Sequence, residues 1–413
     1  MSNIPSEIMI EILSRLPVKS VVRFKCVCRS WRSLLSHPDF ARKHYTNNNN
    51  EDDINSFLVF NSASSYRRAE FSWSNGEKDG EKLLESATMR PINDKLHAEV
   101  KSLKKAEIMN SCDGILCLVL RVERAVVLWN PCINEYLSLP PPESFDFDND
   151  IFGFGYDSRS HIYKVVRPLA THHRWPCRPA LQVLNVNNSS SWRSVHNHFP
   201  SMRIFKPSML LPRPETQVHL KGSLYWIAIL PERGALLVRF DLSEERFWKV
   251  PSPFQLSGLY FYLCSLGGEL CVVYRLSTRS DSLDIWVMKE EEKWTRLFTV
   301  PFFNRLGSMN DYFTPDYYYT YETLPYDCFR PCFFFNNTNE VVIQCNLVKD
   351  SYLTHRDYMY GYEKMLLVYN FQRNCYRRIN IIGDPHWVQS IAYTQTLISP
   401  FSFTSTHISM PII

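Results

Sequence analysis

The sequence predicts a multidomain α+β chain: a small three-helix module, then an all-β domain, an irregular β-propeller of about six blades. Three observations predict this. Helical spacing of apolar residues is clearest in the first 45 residues. From about Phe57 the pattern changes to short apolar runs with period-two alternation, punctuated by Gly, Asn, Asp and Pro. Within that region a degenerate hairpin unit recurs five times. A β-sandwich is the alternative, and the repeat argues against it.

The helical elements come first. Pro5 suits the first turn of a helix, where a missing N–H costs nothing, and Glu7 sits near the positive end of the helix dipole. Ile8, Ile12 and Leu16 recur at spacings of four with Leu13 beside them, lining one apolar face. Pro17 stops that helix. A second short segment carries Val21, Val22 and Phe24; a third carries Val27, Trp31, Leu34 and Leu35, closed by Pro38. Ordering a residue costs roughly 1.5 kcal/mol, against about 1.5–3 kcal/mol gained per large side chain buried. A 45-residue piece therefore needs a partner surface or the next domain to complete its core. Charge points to an acidic partner: residues 1–45 hold eight Lys and Arg against three acidic residues, a net +5, whereas the whole chain is +4.

Residues 46–56 begin Thr-Asn-Asn-Asn-Asn-Glu-Asp-Asp and read as a polar linker between the 1–45 module and a β domain over 57–400, with 401–413 as a tail. In the β domain a polar turn precedes an apolar strand at Asp113-Gly114, Asp157-Ser158, Lys221-Gly222, Gly267-Gly268 and Asn337–Asn339. A second strand then ends near a polar turn, and an aromatic follows six or seven residues on: Asn130 before Tyr136, Asn185 before Trp192, Asp241 before Phe247, Met288 before Trp294 and Asn370 before Tyr376. This is a hairpin whose return strand packs an aromatic on its partner. Equivalent second strands, Trp129, Leu184, Phe240, Trp286 and Val368, lie 55, 56, 46 and 82 residues apart, the last step containing an insertion. Such a period with four strands per unit is the propeller signature. A sixth sheet is expected from Phe57–Phe60 and Phe71–Trp73 with Ser390–Leu397, joining both ends of the chain and closing the ring.

Other classes are disfavoured. No run of 18 apolar residues occurs and the N-terminus lacks the pattern of a signal peptide, so a membrane role is not expected. Twelve scattered cysteines then read as reduced thiols of a cytoplasmic or nuclear protein. Cys26-x-Cys28 and Cys328-x-x-x-Cys332 lack a matching second cluster, so neither a metal nor another cofactor is expected. Without a secretory route, Asn188 and Asn336 are plain turn residues rather than glycosylation sites. Gly153-x-Gly155 has no third glycine and no following helix; His172-His173 reads as a loop; Cys112 has no activating neighbour in sequence. No nucleophile elbow, zincin or P-loop sequence is present, and no catalytic residue is assigned. The first 45 residues contain no Gly and lack the turn of a helix-turn-helix, so nucleic acid is not the expected partner.

Ile4-Pro5, Ile8, Ile12-Leu13, Leu16-Pro17, Val21-Val22, Val27-Cys28-Arg29 and Trp31 resemble the F-box motif, in its plant form. Ile4 stands where many members have leucine. Later, Gly114-Ile115-Leu116-Cys117, Leu128-Trp129-Asn130-Pro131, Phe152–Asp157, Tyr163–Val166, Gly222–Trp226 and Phe240–Leu242 resemble the F-box-associated, kelch-like interaction domain of plant proteins. Those include S-locus self-incompatibility receptors and F-box/kelch-repeat regulators of immunity. The resemblance implies a non-catalytic substrate receptor of a Skp–cullin–F-box ubiquitin ligase, which tethers a target protein for ubiquitination and proteasomal degradation. Its partners would be a Skp-type adaptor, the cullin and RING subunits reached through it, and an unidentified protein substrate. Ile4, Pro5, Ile8, Ile12, Leu16, Pro17, Val21, Val27, Cys28 and Trp31 would bind the adaptor or support that surface. Two rivals are a binding or scaffolding propeller (glycan-binding, for example) outside any ligase, and an enzyme on a propeller, which would need convergent metal ligands. One insertion, Asp311–Asp327, carries Tyr312, Tyr317, Tyr318, Tyr319 and Tyr321 among acidic residues, and such tyrosines suit a substrate-binding loop.

Overall fold

The computed structural model describes residues 5–48, 56–62, 66–75, 82–92, 106–120, 123–142, 150–169, 180–186, 191–196, 203–204, 217–230, 234–253, 261–274, 282–289, 293–301, 329–334, 339–348, 362–382 and 387–403. Helices α1 (Ser6–Ser14), α2 (Val18–Phe24) and α3 (Arg29–Leu35) fall where the apolar spacing placed them. A fourth, α4 (Pro38–Asn48), is new. Pro38 opens this helix, as proline does comfortably in a first turn, and Asp39 follows at its positive end. Thr46, Asn47 and Asn48 of the expected linker are therefore helical.

Six sheets follow among the described residues. Two hold four consecutive strands each ahead of the middle of the chain: β4 (Ala106–Cys112), β5 (Ile115–Leu120), β6 (Ala125–Asn130) and β7 (Glu135–Leu139), then β8 (Gly153–Asp157), β9 (Ile162–Leu169), β10 (Ala180–Asn185) and β11 (Arg193–His196). The next has its inner edge split between β12 (Arg203–Ile204) and β13 (Gln217–Leu220), both on β14 (Ser223–Leu230), then β15 (Gly234–Asp241) and β16 (Arg246–Val250). Two more hold β17 (Phe261–Leu266), β18 (Glu269–Tyr274), β19 (Ser282–Met288) and β20 (Trp294–Pro301), and β21 (Phe329–Phe334), β22 (Glu340–Val348), β23 (Tyr362–Asn370) and β24 (Cys375–Arg378). The sixth joins the two ends of the chain: β26 (Trp387–Thr394) pairs β1 (Ser56–Ser62), followed by β2 (Tyr66–Asn75), β3 (Lys82–Pro91) and the short parallel β25 (Asn380–Ile382). The inner strands meet in the order β4, β8, β13, β17, β21, β26, and β26 meets β4, so the ring closes as a six-bladed propeller, not a sandwich.

The turns explain the sequence punctuation. Asp113-Gly114, Lys221-Gly222 and Gly267-Gly268 each have both residues at positive φ, the requirement of a tight two-residue hairpin whose twist matches its strands. The outer hairpins close through four-residue turns in which Asn130, Asp241 and Asn370 accept backbone N–H groups two or three residues on, while Asn134, Glu245 and Asn374 take the left-handed position before the return strand.

The recurring aromatic does two jobs. It packs on its partner strand, as Phe247 on Phe240 (5.0 Å between ring centres) and Tyr376 on Tyr369 (4.6 Å). In three blades it also reaches the preceding blade: Trp192 donates to the Pro140 carbonyl (2.8 Å), Trp294 to that of Pro251 (2.7 Å) and Tyr376 to that of Pro301 (2.9 Å). The buried Lys164 ammonium bonds Asp157 of its own blade (2.9 Å) and, on the next blade, Glu245 (2.9 Å) and the Leu242 carbonyl (2.5 Å), which compensates the charge where water is excluded.

Candidate adaptor interface

The helical module sits on the tight-turn end of the inner strands. Leu13, Val18, Val21, Leu35, Phe40 and Ala41 form one hydrophobic cluster with blade residues such as Cys112, Ile115 and Phe154 and with Leu397 and Ile398. The next domain thus completes the small helical core. Arg42 donates to the Tyr156 hydroxyl (2.7 Å) and its guanidinium lies 4.9 Å from that ring's centre. Burial pulls the Lys25 ammonium below its ordinary pKa, and Glu135 of the β6–β7 hairpin opposes that shift.

Polar side chains of α4 finish the end of α1, whose last carbonyls have no partner within their own helix. His44 Nε2 meets the Leu16 carbonyl (2.7 Å), Asn48 Nδ2 donates to the Ser14 carbonyl (2.7 Å), and Asn47 Nδ2 donates to Ser14 Oγ (2.7 Å). Burial holds the His44 pKa below its ordinary value, with the Leu16 carbonyl acting in the other direction. Glu11 ties the same two helices, bonding Lys43 (2.8 Å) and Arg15 (2.6 Å); these bonds, Lys43 first, lower its pKa.

The opposite side of the module stays open. Ile8 and Ile12, one turn apart on α1, are 51% and 52% exposed, and Val27, in the turn before α3, is 62% exposed. Among the described residues seven large apolar side chains are at least 37% exposed, and the three most open are these. Pro5 caps α1 and Pro17 caps α2, both exposed. Cys28 is exposed and caps α3, its thiol accepting the Trp31 N–H (3.5 Å). Leu16 and Trp31 are half-buried, Trp31 edge-on to Phe24 (5.7 Å). Val21 is fully buried on the inner side of α2, packed with Leu13, Leu35 and Phe40, so it is not part of the exposed surface. Ile4 lies outside the described residues, as do Tyr312, Tyr317, Tyr318, Tyr319 and Tyr321 and the His172-His173 pair. The buried contributions of Phe40, Ala41 and His44 were missed, although their spacing after Pro38 is helical.

Among the described residues no group of three or more His, Cys, Asp or Glu is placed to hold a metal ion, and no helix is long and apolar enough to cross a membrane.

Comparison with known proteins agrees with this arrangement. Residues 1–43 match the F-box domain, and residues 82–400 match the F-box associated beta propeller domain. The Arabidopsis thaliana F-box/kelch-repeat protein At3g23880 is 28% identical over 311 residues, covering 72% of this chain and 80% of its own length. The F-box/kelch-repeat protein At3g17530 of the same plant is 25% identical over 295 residues, covering 69% and 71%. Among solved structures, the Aleuria aurantia lectin aligns over 81% of this chain and 99% of its own at a TM-score of 0.35 and 8% identity, a likeness too distant to carry an argument. With its helical module docked on a closed six-bladed ring, the chain belongs to the family of plant F-box proteins that carry an F-box-associated β-propeller domain.

Proposed function

We propose that this protein is the substrate receptor of a Skp–cullin–F-box ubiquitin ligase. The observation that supports the reading best is the two-sided helical module. One side is sealed against the propeller, while Ile8, Ile12 and Val27 remain open on a basic module, as an apolar docking patch for an acidic Skp-type adaptor requires. Pro5, Pro17 and Cys28 are exposed on the same module, and Leu16 and Trp31 are half-buried in it. The adaptor would connect to the cullin and RING subunits, and the enzyme recruited there would transfer ubiquitin. This chain then contributes proximity, raising the effective concentration of the target at that enzyme. In this reading it performs no covalent step and works in the cytoplasm or nucleus.

The target is assigned to the other end of the inner strands. All six connections that enter an inner strand arrive at that end, including the one that leaves Pro301 of β20 and returns at Phe329 of β21. That connection carries the tyrosine-rich segment. Deleting Tyr317–Tyr321 is expected to abolish target capture while leaving adaptor binding unchanged; retained capture would remove this assignment.

The main test is titration of the full chain with a purified Skp-type adaptor, beside an Ile8→Ala/Ile12→Ala/Val27→Ala variant. Tight binding is expected for the native chain, weakened about 100-fold in the variant with no change in unfolding midpoint. Absence of binding by the native chain would leave a propeller that binds its ligand outside any ligase.

A further inference from the structure

The segment that follows the last strand, Gln395–Phe403, runs beneath the blade of β4–β7 and into the space where the helices dock. Its path is held by hydrogen bonds from three places. Asn130 is fully buried; its Nδ2 donates to the Ile398 carbonyl (2.8 Å) and to Thr396, and its Oδ1 accepts the Tyr393 hydroxyl (3.1 Å) and the Cys132 N–H (2.8 Å). Thr396 Oγ1 donates to the Asp113 carbonyl (3.0 Å). Ser399 bonds Glu135, the same carboxylate that attracts Lys25 of the helical module. Gly114 leaves room for the crossing, since a Cβ there would collide with Thr394 and Thr396. Leu397 and Ile398, thus fixed, are buried in the hydrophobic cluster that holds Leu13, Val21, Leu35 and Phe40.

We infer that Gln395–Phe403 is a clasp that couples closure of the ring to docking of the helices, so that the adaptor-binding module takes its ordered position only on a ring whose last strand is already in place. The platform under the helices is built from two blades, β4–β7 and β8–β11, together with this segment. Strands β1 and β26 can pair without it, because their register ends at Thr394. Removing the segment therefore takes apolar floor away from the helices while leaving the ladder that closes the ring. A chain that stops before Thr396 would keep its sheets and lose adaptor competence, which would keep incomplete receptors off the ligase. The adaptor part of this statement rests on the function proposed above; the coupling itself does not.

The test compares hydrogen exchange of the full chain with three variants: one ending at Gln395, one ending at Phe403, and Leu397→Ala/Ile398→Ala. Exchange is read separately for α1–α4 and for β13–β20, which lie on other blades, and adaptor affinity is measured in parallel. The chain ending at Gln395 is expected to exchange at least tenfold faster in α1–α4 with β13–β20 unchanged, and to bind the adaptor at least tenfold more weakly. The double variant should shift the same way by a smaller factor, and the chain ending at Phe403 should match the full chain. Unchanged helix protection in both the shortened and the double variants would overturn the coupling. Equal loss of protection in β13–β20 would also overturn it, because the segment would then serve the whole fold and not the helices. Loss of helix protection in a chain whose native form binds no adaptor would keep the coupling and remove only the ligase reading.

Discussion

The two sides of the helical module have similar composition and opposite fates. Leu13, Val21, Leu35 and Phe40 face the propeller and are at most 4% exposed, whereas Ile8, Ile12 and Val27 are more than half exposed. Both sets are aliphatic or aromatic, and helical spacing selects both. What separates them is what lies opposite: two blades and the 395–403 segment on one side, open surface on the other. An apolar side chain on a small helical module thus marks an interface, and the fold decides whether its partner belongs to the same chain.

Substitutions can break or sharpen that comparison. The largest effect is expected from Val21→Asp, which places a carboxylate among apolar groups. A destabilisation of about 4 kcal/mol, read from denaturant unfolding with loss of helix protection, is the expected result. On the open side, Ile12→Asp should leave the unfolding midpoint within about 0.5 kcal/mol and lower adaptor affinity about 100-fold, roughly 2.7 kcal/mol. If both changes lowered stability equally, the two sides would not be distinct. Asn130→Ala should cost about 2–3 kcal/mol, because buried partners on both sides lose their bonds at once. Arg42→Ala removes a hydrogen bond and a ring contact across the junction and should cost about 1 kcal/mol, with adaptor affinity unchanged in titration.

The smallest effect depends on pH. The folded chain holds His44 below its ordinary pKa, so the unfolded chain takes up a proton that the folded chain resists. Stability should fall as pH drops below about 6.5, the ordinary histidine value, and level off below the lowered folded-state value. In paired melts at pH 7.5 and 5.5, His44→Gln should show a smaller acid loss than the native chain; an equal loss would show that His44 contributes nothing to it.

Much of the architecture was legible because its signals are local. Two positive-φ residues in a row demand Asp-Gly, Lys-Gly or Gly-Gly, and those pairs marked three inner hairpins. The closing sheet was readable because pairing apolar strands from both ends of the chain closes the ring. Less was legible where the cause is distant. Nothing near Trp192 shows that its indole will find Pro140, 52 residues earlier and on another blade. Asn47 and Asn48 have the composition of a solvated linker, yet they bond α1 because α4 runs beside it. Val21 shares a short helix with residues on every side, and spacing over seven residues does not say which side is covered.

Closing the ring with both ends of the chain has a mechanical consequence. Ser56 at the start of β1 is opposite Thr394 at the end of β26, so the two strands leave their shared ladder at the same end. Once the docked helices and the 395–403 segment have been pulled free, traction from the two sides would therefore load one pair of residues at a time, from Ser56 and Thr394 inward, and open the ladder as a zipper. Shear, which loads all the bonds together, would require the strands to be pulled from opposite ends. A ring closed by strands from both ends of its own chain is in this direction weak against a motor that pulls on the polypeptide.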